Sequence, residues 1–109
     1  MSANIKSILV LGLGKVGSLV ATLLHETGLA VTGADLHAAD AGAPFPVIPM
    51  DVSRQDDLRR LSGFDAVVSC LPYNFNIGIA SMAHDLGLHY FDLTEDVKTT
   101  QAILQLSGS

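Results

Sequence analysis

Residues 9–17, Leu-Val-Leu-Gly-Leu-Gly-Lys-Val-Gly, place Gly12, Gly14 and Gly17 in G-x-G-x-x-G spacing directly after an apolar run. Glycines so spaced suit a backbone that turns tightly and lets phosphate oxygens approach its N–H groups. The spacing alone is a weak signal, because a chain with ten glycines produces it by chance. A second feature strengthens it. Asp35 lies 18 residues beyond Gly17, where a carboxylate can accept hydrogen bonds from the adenosine ribose hydroxyls of a dinucleotide. A carboxylate there repels a 2′-phosphate, and residues 36–43, LHAADAGA, hold no Arg or Lys to receive one. The pattern favours NAD, with NADP as the alternative.

Other reactive side chains are sparse. Cys70 sits where a strand should end, but no His is close in sequence, so a small buried thiol is the simpler reading. Tyr73 could donate a proton or merely shape a pocket. His84 and His89 lie five apart across an expected helix end, which does not suit a two-His metal site, and none is expected. Asp56 and Asp57 read as partners of a helix dipole, and Asp92 as a cleft contact or a turn cap.

The elements that must position these residues alternate between strand and helix. Ile8–Leu11 reads as a buried strand, and Lys15–Thr27 as a helix. Val16, Leu19, Val20, Leu23 and Leu24 predict its packed face, and Gly28 its left-handed stop. Leu29–Ala34 is a second strand closed by Asp35, His37–Pro46 a loop, and Val47–Met50 a third strand. Ser53 to Asp56 resembles a capping box that should start a helix running to about Leu61. Asp65–Ser69 is the fourth strand, Asn74–Leu86 a helix, and His89–Asp92 the fifth strand. Thr94 can cap a last helix to about Leu106. The alternation predicts one α/β domain over residues 1–109, a doubly wound parallel sheet of order 3-2-1-4-5 with helices on both faces. In that order the end of the fourth strand, Ser69 to Asn76, lies beside the glycine turn, and Leu71 can touch the nicotinamide half.

Composition narrows the partners. The 109-residue chain has 49% hydrophobic and 16% charged residues, which argues against disorder. Its net charge of −5 argues against nucleic-acid binding, and no apolar stretch is long enough for a membrane helix. A lone cysteine and the lack of a signal-like start point to a reducing, cytoplasmic setting.

Residues 64–76, FDAVVSCLPYNFN, followed by MAHDLGLHYFDLTED at 82–96, resemble the amino-terminal domain of the saccharopine dehydrogenase family, including its lysine 6-dehydrogenase branch. With the glycine turn, the resemblance covers residues 5 to about 106. It implies a Rossmann-type domain that binds a nicotinamide dinucleotide and serves oxidation–reduction at the amine carbon of an amino acid. It further implies that Gly12, Gly14, Gly17 and Asp35 hold the dinucleotide, that Asp51 and Val52 edge the adenine, and that Leu71 and Pro72 border the nicotinamide. Leu13, Lys15 and Val16 within the turn, Leu36 after the acid and Cys70 before Leu71 complete that cofactor set, while Tyr73 and Asn76 would face the substrate.

Members of that family carry a substrate-binding and dimerisation domain after the fifth strand, and this sequence stops at Gly108-Ser109. The expectation is a cofactor domain that is inactive alone, its partner being that catalytic domain or a second copy of itself. The contrasting expectation is a non-enzymatic nucleotide sensor, like the regulatory domains of potassium transporters. Such sensors share the glycine turn, the acid and the size, but the Leu71-Pro72-Tyr73 segment and the GLHYFD strand favour the first.

Overall fold

A computed structural model describes residues 5–37 and 43–92 of the chain. The expected last helix at 94–106 and the centre of the loop after Asp35 lie outside the described residues.

Five parallel strands form one sheet in the order β3-β2-β1-β4-β5, as the alternation predicts. They are β1 (Ser7–Leu11), β2 (Ala30–Asp35), β3 (Val47–Pro49), β4 (Ala66–Ser69) and β5 (His89–Asp92). β1 and β4 are apolar in nearly every position because both of their faces are covered. Ile8 and Val10 pack on one side with Val31, Ala66 and Val68, beneath helix α1 (Lys15–Glu26). Leu9, Leu11 and Val67 pack on the other, beneath α2 (Gln55–Leu58) and α3 (Asn76–Leu86). The result is three layers with two cores.

The strand ends fix where a ligand could sit. Leu11 of β1 is level with Ala34 of β2 and Ser69 of β4, so Gly12, Asp35 and Cys70 emerge side by side at the carboxyl edge. Asp35 is level with Pro49, which brings Met50 and Asp51 to the same edge. At the opposite edge, Asp65 Oδ2 accepts the N–H groups of Lys6 and Ser7 at 2.9 and 3.1 Å, and these bonds hold its carboxyl below the usual range. That clamp joins the beginnings of β1 and β4.

Two local expectations are corrected. The buried face of α1 is Gly17, Val20, Ala21 and Leu24, while Val16 and Leu19 are each 59% exposed. The helix is turned so that its small residues face the sheet. Ser53 does not cap a helix, because its N–H and hydroxyl both donate to Asp51 Oδ1, at 3.0 and 2.6 Å. That local Asx-type turn uses up the side chain a capping box needs. The helix instead starts at Gln55 and tightens into a 3-10 turn at Arg59–Gly63.

The turn between β1 and α1 depends on two glycines. Gly12 has φ +88°, a left-handed value that suits glycine. A Cβ on Gly17 would stand 1.8 Å from the Gly12 carbonyl oxygen. Gly17→Ala must therefore push α1 off the turn, and about 1–3 kcal/mol of destabilisation is expected. A urea melt that leaves the midpoint unchanged would refute that packing.

Candidate functional site

The glycine turn is tied to the sheet on both sides. Gly12 N–H donates to the Ala34 carbonyl at 2.8 Å, and Cys70 N–H donates to the Leu11 carbonyl at 2.7 Å. Within the turn, Leu13 N–H donates to Asp35 Oδ2 at 2.8 Å, and the Leu13 carbonyl accepts from Ser18 Oγ at 2.9 Å. α1 begins without a side-chain cap and without an acid in its first turn, and its first internal bond runs from Ser18 N–H to the Gly14 carbonyl. The N–H groups of Lys15, Val16 and Gly17 precede that bond and are free to meet an anion. A Cβ on Gly14 would find no atom within 4 Å, so the bare backbone there opens outward. These features fit a pyrophosphate: the turn offers donors, room and the positive end of a helix.

Beside the turn lies a cleft of about 250 Å³. Gly12, Asp35, Leu36, Asp51, Val52 and Leu71 line it, which brings together six of the expected cofactor residues. Asp35 is half-buried, and its Oδ1 also accepts the Leu36 N–H at 2.7 Å. The Asp51 carboxyl is held below its ordinary value by the Ser53 hydroxyl first and the Ser53 N–H second. It is an acceptor at neutral pH, and the N–H of Asp51 donates to Asp57 Oδ2 at 2.8 Å. One member of the acidic pair expected as partners of a helix dipole thus also braces the cleft.

Phe75 and Met50 also line the cleft and were not among the expected residues. The signal for Phe75 was an aromatic residue in the short turn after Pro72, at the end of a buried strand.

The remaining expected residues lie around this cleft rather than in its lining. Lys15 and Val16 are exposed on the first turn of α1, and Pro72 is exposed after β4. Cys70 is half-buried against Gly17, 3.3 Å from where a Cβ would stand, and burial pushes its thiol up to about 11. Tyr73 opens a 3-10 turn at Tyr73–Phe75. Asn76 is 7% exposed, and its Oδ1 accepts from the buried Ser69 Oγ at 2.7 Å. Its amide therefore braces the end of β4 from beneath α3. Tyr90 is half-buried on the same side of the sheet, and burial first, then the charge of Asp92, raises its phenol well above the ordinary value. Among the described residues, no group of three His, Cys, Asp or Glu could hold a metal, and no helix is long and apolar enough to cross a membrane.

Comparison with known proteins agrees with this geometry. The family described as saccharopine dehydrogenase NADP binding domain matches residues 8–107. No curated protein matches the sequence. Among solved structures, saccharopine dehydrogenase (L-Glu forming) from Saccharomyces cerevisiae is similar with a TM-score of 0.70 and 19% identity, over 90% of this chain and 24% of that one. A partial-consensus L-threonine 3-dehydrogenase is similar with a TM-score of 0.67 and 19% identity, over 78% of this chain and 35% of that one. A short-chain dehydrogenase/reductase superfamily protein from Agrobacterium tumefaciens, solved with bound NAD, is similar with a TM-score of 0.64 and 22% identity, over 79% of this chain and 31% of that one. The chain thus spans about a quarter to a third of these proteins, and at such identities the likeness is one of fold. The family match runs through both strand ends that form the cleft, and the chain belongs to the saccharopine dehydrogenase NADP-binding domain family, a family of nicotinamide dinucleotide-binding domains.

Proposed function

We propose that this chain is the cofactor domain of an oxidoreductase acting at the CH–NH group of an amino acid, and that it prefers NADH to NADPH. The observation that carries the reading is the alignment of the uncapped α1 start, the Asp35 carboxylate and the Asp51–Val52 edge around one cleft. At about 250 Å³ that cleft is smaller than the ~300–1,000 Å³ of a whole ligand pocket and suits one nucleoside half. Adenosine would lie against Leu36 and Val52, with its ribose on Asp35 and its amino group towards Asp51. The pyrophosphate would cross the N–H groups of Lys15 and Val16. The nicotinamide half would then continue past Gly12 towards Pro72, Tyr73 and Asn76.

When bound, the nicotinamide supplies a hydride acceptor or donor for the amine carbon of a substrate. The chain's own residues bind and orient it. Asp35 supplies carboxylate acceptors where a 2′-phosphate would bring a second negative charge, and this supports NADH despite the family's description. A substrate must be held within about 3–3.5 Å of the reacting carbon. The relatives' additional length supports the view that a further domain holds it. A nucleotide sensor shares the same turn, but the family match supports the dehydrogenase reading.

Calorimetric titration is expected to show NADH binding about tenfold or more tighter than NADPH, and Asp35→Ala losing about tenfold or more of the NADH affinity. Tighter binding of NADPH would sink the preference, and equal NADH binding by Asp35→Ala would remove the carboxylate from the site. Mixed with NAD and single amino acids, the chain alone is expected to form no NADH; turnover would show that it carries its own substrate site. Cys70 is expected to resist alkylation at neutral pH, because a thiol near pH 11 leaves only roughly one thiolate in ten thousand at pH 7. Its rate should climb as pH rises towards 11, whereas rapid labelling at pH 7 would reveal an activated thiol.

A further inference from the structure

We infer that Asp35 is a positioning residue for the phosphate turn as well as an acceptor for the ribose, so that one carboxylate couples recognition of the two. The inference rests on the dinucleotide reading and deepens it. Both carboxylate oxygens already accept a backbone N–H: Oδ2 from Leu13 at 2.8 Å and Oδ1 from Leu36 at 2.7 Å. The strand around Asp35 is fixed as well, since Gly12 N–H donates to the Ala34 carbonyl and Met50 N–H to the Asp35 carbonyl, at 2.8 and 2.9 Å.

Leu13 is consequently gripped at both of its peptide groups. Asp35 holds its N–H, and Ser18 on α1 holds its carbonyl at 2.9 Å. In a planar trans peptide the next N–H points opposite that carbonyl. The Gly14 N–H is thereby aimed away from Ser18, and a Cβ on Gly14 would meet no protein atom within 4 Å. Releasing Leu13 from Asp35 frees the preceding Gly12–Leu13 peptide to rotate and loosens the turn that supports the Gly14 N–H in the phosphate site.

The same bonds define how the ribose is read. Each carboxylate oxygen has two lone-pair directions, and the backbone takes one of each. One per oxygen remains, which suits two vicinal hydroxyls. Making room for a 2′-phosphate requires the carboxylate to swing, and swinging leaves the Leu13 and Leu36 N–H groups without an acceptor. Selection against NADPH is therefore built into the phosphate turn and does not depend on charge alone.

The test compares adenosine with ADP on the wild type and on Asp35→Asn. A carboxamide offers one acceptor oxygen and presents a donor on the other side, so it cannot hold both N–H groups. The gain in affinity from adenosine to ADP is expected to fall about tenfold in the variant. Simple charge removal beside the phosphates would raise that gain, so an unchanged or larger gain overturns the inference. Amide exchange on the ligand-free chain gives a second reading. Leu13 should be protected in the wild type and exchange at least about tenfold faster in Asp35→Asn, with Leu9 and Val10 of β1 still protected. An unprotected Leu13 in the wild type overturns the clasp whether or not a nucleotide binds. If the wild type binds neither ADP nor NADH, the dinucleotide reading fails and the Leu13 amide alone judges the clasp. Leu36→Arg, which leaves the clasp intact, should still bind NADH more tightly than NADPH; reversal by that one substitution counts against the coupling.

Discussion

The contact between Gly17 and the carbonyl of Gly12 sets the position of everything that follows. A methyl group at Gly17 would overlap that oxygen at 1.8 Å, so bare backbone is the only surface that lets α1 start so close to β1. The end of β4 joins the same contact, because the Cys70 carbonyl lies 3.1 Å from the position of a Gly12 Cβ. Three segments that are distant in sequence meet here without an intervening side chain. Their backbones then pack directly on one another, and a gap of even a methylene would spread them apart.

The strand order was legible because β1 and β4 are covered on both faces and read as continuous apolar runs. The buried face of α1 was not. A count of large apolar residues selects Val16 and Leu19, yet both are largely exposed while Gly17 and Ala21 are buried. Close approach of a helix to a strand rewards small residues at the contact, and a hydrophobicity pattern gives them little weight. Larger side chains are displaced to the exposed flank of the helix.

The site divides along a similar line. The glycines, Asp35 and the Leu71 segment announce themselves by residue type and by distance from predicted strand ends. What those groups are already bonded to does not appear in a linear pattern. Asp51 looks like one free carboxylate, but one of its oxygens is occupied by Ser53, and its N–H is held by Asp57. Ser53 looks like a helix cap and closes a turn instead. Asn76 reads as a polar group near a substrate, and its Oδ1 also accepts from the buried Ser69 Oγ. Each case depends on which of several nearby acceptors wins a donor, a competition that geometry decides once the strands are in register.

An acidic domain proposed to hold a pyrophosphate needs a helix start whose N–H groups its own acids do not cap. The net charge of −5 acts weakly at a distance, since salt screens exposed charges beyond about 8 Å under physiological conditions. The placement of acids near helix starts therefore matters more than their number. α2 carries Asp56 and Asp57 in its first turn, and those carboxylates occupy the positive end of that helix. α1 carries none and has no capping side chain, so its N–H groups have no internal anion to satisfy them. The two helix starts are thus chemically opposite, one neutralised from within and one left for a ligand. The second follows Gly14, where a Cβ would meet no protein atom within 4 Å, and this supports the proposal that the glycine turn, rather than the more acidic segment after β3, receives the phosphates.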